Sequence, residues 1–322
     1  MTNEEIYNWL ESQYCVSCET IIEALKLSPS AQGYIHGAVS ELMLIEYLKE
    51  NNYEVHRIKE KPAGGYDEKK EGYKGDFLIR KAGSEDFYVI ECKGLKTNSE
   101  FRTADTNDEH EKKITKKQAY DCLKKFVNID KQKIYDSGLK RYNKAKKEWE
   151  EKNVGKIFPA FNWEIDNAGP DNADLSKYFS SLNELNQFIE KSSPELLTEQ
   201  AFRNRRGLYK ILQTHKPSAR KDLKTGIEQA APLISDFSIL AVDLFLRTGK
   251  HQFVFMNPDK ISHSPSSPNH LYQNYIIDVI VPGIKDELEI KYPWFLTIDS
   301  CISNSNPKKV EYDESQIDFR EA

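Results

Sequence analysis

Asp76, Glu91 and Lys93 are the residues of this sequence whose types and spacing suit bond-breaking chemistry. Two carboxylates brought to one point repel each other unless a divalent cation neutralises them, and hard oxygen donors of this kind suit magnesium. A neighbouring ammonium can then orient a water or stabilise charge developing on a phosphoryl group. The elements that must position these groups surround them in the chain. Residues 77–79 and 87–90 are short apolar runs separated by the turn-forming stretch Ala82-Gly83-Ser84-Glu85, which predicts two strands joined as a hairpin. Asp76 opens the first strand. Glu91 and Lys93, two apart, project to one face at the end of the second, while Cys92 turns to the other.

Asp76 followed by Glu91-Cys92-Lys93 at the end of an apolar strand resembles the active site of the PD-(D/E)XK nuclease superfamily. The resemblance implies metal-dependent phosphodiester hydrolysis, with Asp76 and Glu91 as Mg²⁺ ligands and Lys93 as a transition-state charge. It departs at its first letter, because Gly75 stands where the family often has proline. In that superfamily a helix before the hairpin often presents a glutamate to the metal. Here residues 32–50 read as a helix with an apolar stripe of Ile35, Val39, Leu42, Ile45 and Leu48, and Glu41 lies beside that stripe. The resemblance makes Glu41 an accessory catalytic carboxylate and metal ligand, and it matches Gln118 to a glutamine found on the following helix in some members. Taken without it, Glu-x-Lys is also what a solvated ion pair on any half-exposed strand looks like.

In chain order the sequence predicts packing helices over residues 2–28, the helix 32–50, a strand over 53–58, a loop over 59–71, the hairpin, and a polar loop over 94–108. A helix from Thr115 carries Lys116, Lys117 and Gln118, a charged helix spans 134–152, and 155–161 reads as a last core strand. Residues 166–174 are turn formers and acids, the best linker in the chain. Beyond them helices are expected over 176–191, 194–214 and 222–248, then strands over 251–256 and 275–281. The expected fold is α/β: a mixed central sheet flanked by helices with a restriction-endonuclease-like core in residues 1–165, and a mostly helical region with a few strands in 166–322 for DNA recognition or dimerisation.

Candidate DNA contacts follow from side-chain chemistry. The loop 257–274 is rich in groups able to read base edges, with Asn269, His270 and Gln273 among them. Arg203 and Arg206, with Arg205 and Lys210 nearby, form a possible phosphate clamp. Although the net charge is -5, residues 111–156 hold 15 Lys and Arg against 7 Asp and Glu, so a basic stripe sits on an acidic body. Such a stripe can hold a polyanion, and equally can be a solvated helix face.

A 322-residue chain with 39% hydrophobic and 30% charged residues can bury one large or two ordinary cores. There is no apolar run of membrane-spanning length and no signal-peptide pattern at the start, so a cytoplasmic location is expected. Five scattered cysteines fit a reducing compartment, and Cys15-x-x-Cys18 lacks a second pair to complete a zinc site. No G-x-x-x-x-G-K-[ST] motif is present, which argues against ATP-driven translocation.

These features together predict an enzyme resembling type II restriction endonucleases: Mg²⁺-dependent, acting on double-stranded DNA as a homodimer, with a cognate DNA methyltransferase as genetic partner. Two other readings stand beside it: a structure-specific or repair nuclease of the same superfamily, and a DNA-binding module whose carboxylates hold no metal.

Overall fold

The computed structural model describes residues 2–59, 73–94, 115–127, 129–161, 175–194, 208–209, 220–229, 231–245, 250–261, 263–272, 275–276, 290 and 292–319. Three helices open the chain, α1 (Asn3–Tyr14), α2 (Cys18–Leu27) and α3 (Pro29–Glu50). Ser28 caps α3, its hydroxyl accepting from the Ala31 N–H, with Pro29 in the first turn where no N–H is needed. The helix ends at Asn51, and Asn52 at φ 61° turns the chain into β1 (Tyr53–Ile58). The predicted hairpin follows as β2 (Phe77–Lys81) and β3 (Phe87–Gly94), with Gly83 at φ 81° in its turn, a conformation that glycine adopts without strain.

After β3 come α4 (Lys116–Leu123), α5 (Lys131–Lys152) and α6 (Leu182–Lys191), then β4 (Ile239–Asp243), β5 (Phe253–Met256), β6 (Trp294–Phe295), α7 (Ile298–Ser305) and β7 (Ile317–Asp318). The seven strands form one sheet in the order β6-β5-β4-β3-β2-β1-β7. Every pairing is antiparallel except β3 with β4, which run parallel with Ile90 opposite Ile239 and Gly94 opposite Asp243. The fold is therefore mixed α/β. Short ribbons pair 208–209 with 275–276, 220–221 with 228–229, and 263–264 with 267–271.

The sheet has a core on each face. Tyr88, Ile90 and Cys92 of β3 join Phe77, Ile79, Ile239 and Ala241 beneath Leu44 and Leu48 of α3 and Ile298 and Cys301 of α7. The alternate residues Val89, Leu78, Leu240, Val242, Val254 and Met256 form the opposite core with Phe237, Leu271 and Trp294. By this alternation Glu91 and Lys93 belong to the face away from α3. Helices α4 and α6 share a separate apolar cluster around Leu123, Phe126, Leu185 and Ile189, and α5 packs Tyr142 and Trp149 on Phe158.

Two element assignments need correction. Residues 155–161 are not a strand; the stretch is irregular and anchors Phe158 against α5. The fourth core strand is instead β4, inside the span 222–248 expected to be helical. Ile-Leu-Ala-Val is buried on both faces, and a strand of that kind lacks the period-two pattern that would reveal it. Consequently the sheet takes β4 to β7 from beyond residue 165, and the second half supplies core strands as well as peripheral ones. Among the described residues no helix is long and apolar enough to cross a membrane.

Candidate active site

Asp76 is held at the mouth of the hairpin by both of its polar ends. Its N–H donates to the Ile90 carbonyl at 2.9 Å, and its Oδ2 accepts from the Cys92 N–H at 2.7 Å. The carboxylate thus takes the hydrogen bond that a continued β2 backbone would have taken, and the two strands part at the point where Glu91 and Lys93 stand. Gly75 makes this possible. A Cβ there would lie 2.5 Å from Val89 Cγ1 and 2.8 Å from the Ile90 carbonyl oxygen, so any side chain, including the proline the family often has, would drive the chain away from β3.

Lys93 Nζ forms an ion pair with Glu91 Oε1 and reaches the Cys92 carbonyl at 3.3 Å. Glu91 is 13% and Lys93 25% exposed, so the pair is largely withdrawn from water yet open at one side. Burial works against the Lys93 charge, but Glu91 and Asp76 outweigh it and hold the ammonium well above the usual lysine value. Burial likewise pushes the Cys92 thiol up, Asp76 adds to it, and Glu41 and Asp243 contribute from further off, which makes Cys92 a packing residue and no nucleophile. The arrangement can do one thing well: it presents two carboxylates and a permanently charged ammonium along one rim.

Glu41 lies on α3 and pairs with Arg57 of β1 at 2.8 Å. Among the described residues no group of three or more His, Cys, Asp or Glu side chains converges as a metal site. The donors that could hold a cation are therefore Asp76 and Glu91. Two carboxylates suit magnesium, which keeps several waters and takes remaining ligands from a phosphate-bearing substrate.

The other expected contacts are placed as follows. Lys116 bonds the carboxylate of Glu190 on α6 at 3.1 Å, Lys117 is exposed, and Gln118 closes the capping box of α4, its Oε1 accepting from the Thr115 N–H at 2.8 Å. His270 is fully buried with its Nδ1 against the Ser267 hydroxyl, a structural role. Asn269 lines a cavity and donates to Asp222 Oδ2 at 2.6 Å. Arg203, Arg206 and Gln273 lie outside the described residues, as do nearly all of the loops 59–71 and 94–108.

One cluster at this rim had no sequence signal. Asp243, ending β4 opposite Gly94, is 1% exposed and accepts from Ser40 Oγ of α3 at 2.7 Å, from the Phe245 N–H at 3.0 Å and from His251 Nδ1 at 2.7 Å. It ties α3, β4 and the β4–β5 connection together beside the end of β3. An aspartate closing a buried strand would have drawn attention only had β4 been recognised as a strand.

Comparison with known protein families, curated proteins and solved structures gave no match.

Proposed function

We propose that this protein is a magnesium-dependent endonuclease that hydrolyses phosphodiester bonds of double-stranded DNA at a specific sequence, in the manner of type II restriction enzymes. The observation that carries the reading is the clamp of Asp76 on the Cys92 N–H, which sets a carboxylate at the point where Glu91 and Lys93 leave the ladder. The order helix, three antiparallel strands, helices and a further strand beside β3 supports it. Magnesium, when bound, would supply Lewis acidity and lower the pKa of a coordinated water. Asp76 and Glu91 would hold it, the Cys92 N–H fixes the direction of the Asp76 carboxylate, and Lys93 stands ready for charge gathering on a non-bridging phosphate oxygen. Cutting both strands with one such site per chain calls for a two-fold pair of chains on a symmetric DNA site.

The test is incubation of the full chain with long duplex DNA across a magnesium titration, followed by sequencing of the ends. Discrete products that require Mg²⁺ and vanish in Asp76→Ala and Glu91→Ala, with DNA binding retained, are expected. Wild-type cleavage by either variant at saturating Mg²⁺ would refute the site, and DNA binding indifferent to metal with no cleavage would favour a non-catalytic module.

A further inference from the structure

A cavity of about 250 Å³ opens on the face of the sheet that carries Glu91 and Lys93. Its floor is apolar, with Leu233, Ile234 and Phe237, and its walls are polar, with Asp222, Asp259 and Asn269. Segment 233–238 connects it to the hairpin. Ser238 exchanges hydrogen bonds with Val89, its N–H donating to the Val89 carbonyl at 2.8 Å and its hydroxyl accepting the Val89 N–H at 3.1 Å. Lys74 pairs with Asp236 at 3.2 Å, two residues before Asp76. Val89 and Glu91 are neighbours on one face, about 7 Å apart along the strand, so the cavity adjoins the candidate active site.

The chemistry of the walls is selective. The Asp222 carboxylate accepts from the Thr225 hydroxyl at 2.6 Å and from the Lys224 N–H at 3.0 Å as well as from Asn269. A carboxylate can only accept, so it fixes Asn269 with its amide nitrogen toward Asp222. The Asn269 carbonyl oxygen has no partner among the described residues, and its second N–H is left beside it. That oxygen and N–H form the acceptor and donor pair that matches the N6 and N7 edge of adenine. The Ile234 N–H donates to the Asn269 backbone carbonyl at 3.1 Å and holds the residue in place. Lys224 and Lys308 also line the cavity and have no ion pair among the described residues, as a phosphate would require. At ~30 Å³ of liquid per water, the volume holds about eight waters, room for one base and not for a base pair.

We infer that this cavity binds a single adenine nucleotide taken out of the base stack, with Asn269 reading the base and Lys224 and Lys308 facing its phosphate. The inference rests on the nuclease reading for its biological setting, but its test does not.

The full chain, without metal, is titrated with dAMP and with dTMP by calorimetry. dAMP should bind roughly 5- to 150-fold more tightly than dTMP, the discrimination of one bidentate pair. Asn269→Ala should abolish that preference, and Lys308→Ala, at an exposed position, should weaken both nucleotides alike. If Asn269→Ala fails to fold, Ser235→Phe at the exposed rim serves instead and should block both. No binding of either nucleotide at millimolar concentration, equal affinity for the two, or binding unchanged in Ser235→Phe would overturn the proposal. Adenine-selective binding in a protein that never cleaves DNA would sink the nuclease reading alone, and cleavage without nucleotide binding would sink the pocket alone.

Discussion

Replacing Gly75 by alanine adds one methyl group where the chain passes closest to β3. The new Cβ would sit 2.5 Å from Val89 Cγ1 and 2.8 Å from the Ile90 carbonyl oxygen. Val89 is 2% exposed, so its side chain has no free space to rotate into, and Ile90 belongs to the backbone of a central strand. The segment 74–76 must therefore move. Overpacking of this kind costs about 1–3 kcal/mol, which for a chain of this length is a fall in melting temperature of roughly 2–5 °C. Asp76 moves with the segment, and its bonds to the Ile90 carbonyl and the Cys92 N–H lengthen first. A misplacement near 1 Å at a reacting group can cost on the order of 100-fold in rate, so cleavage should fall by about 10- to 100-fold, well beyond what the stability change explains. Thermal melts and Mg²⁺-dependent cleavage, run on the same preparation, check both numbers. Wild-type melting and wild-type cleavage together would show that the close approach at Gly75 has no bearing on the site.

Three further outcomes are expected. Lys93→Ala should lose cleavage while keeping DNA affinity in Ca²⁺, which occupies carboxylates without activating a water as well; efficient cutting in Ca²⁺ by the wild type would count against the mechanism. Asp243→Ala should lower stability by about 3 kcal/mol in a urea titration, since it strands Ser40, His251 and the Phe245 N–H at once; a loss under 1 kcal/mol would mean that water replaces the carboxylate. The third concerns acid. Burial pushes the His263 imidazole below its usual value of 6.5, against smaller raising effects from the Pro268 carbonyl and Asp259. Folding then favours the neutral ring, so this contribution is present above the unfolded value and is lost as pH falls through the depressed folded one. Melting temperature should decline from about pH 6.5 downward, and a His263→Asn variant with the same slope would exclude that ring as the cause.

The hairpin, β1 and α3 were legible because their signals are local: alternation in the strands, a helical apolar stripe, asparagines and a glycine at the turns. Asp76, Glu91 and Lys93 were legible for the same reason, lying within a single supersecondary unit. What escaped was information that depends on partners far along the chain. Residues 239–243 are apolar on both sides, and only their place between β3 and β5 makes them a strand. His270 carries a polar side chain in a Pro- and Ser-rich stretch, and nothing local reveals that Ser267 satisfies it in a fully buried position. Gln118 has a capping role that Thr115, three residues before it, does announce, through the capping-box spacing.

The parallel neighbour of β3 also sets a delay. Val89 and Ser238, which open the β3–β4 contact, are 149 residues apart. A ribosome adding roughly 5–20 residues per second therefore needs roughly 7–30 s after making the hairpin before the strand beside it exists. During that interval Glu91 and Lys93 lie on an open sheet edge, without Asp243 to join β4 to α3. A chain stopped early would carry every residue of the Asp76, Glu91 and Lys93 set and still lack the support that holds it. For a DNA-cutting enzyme made inside the cell whose genome it could attack, such late completion confines the hazard to finished molecules.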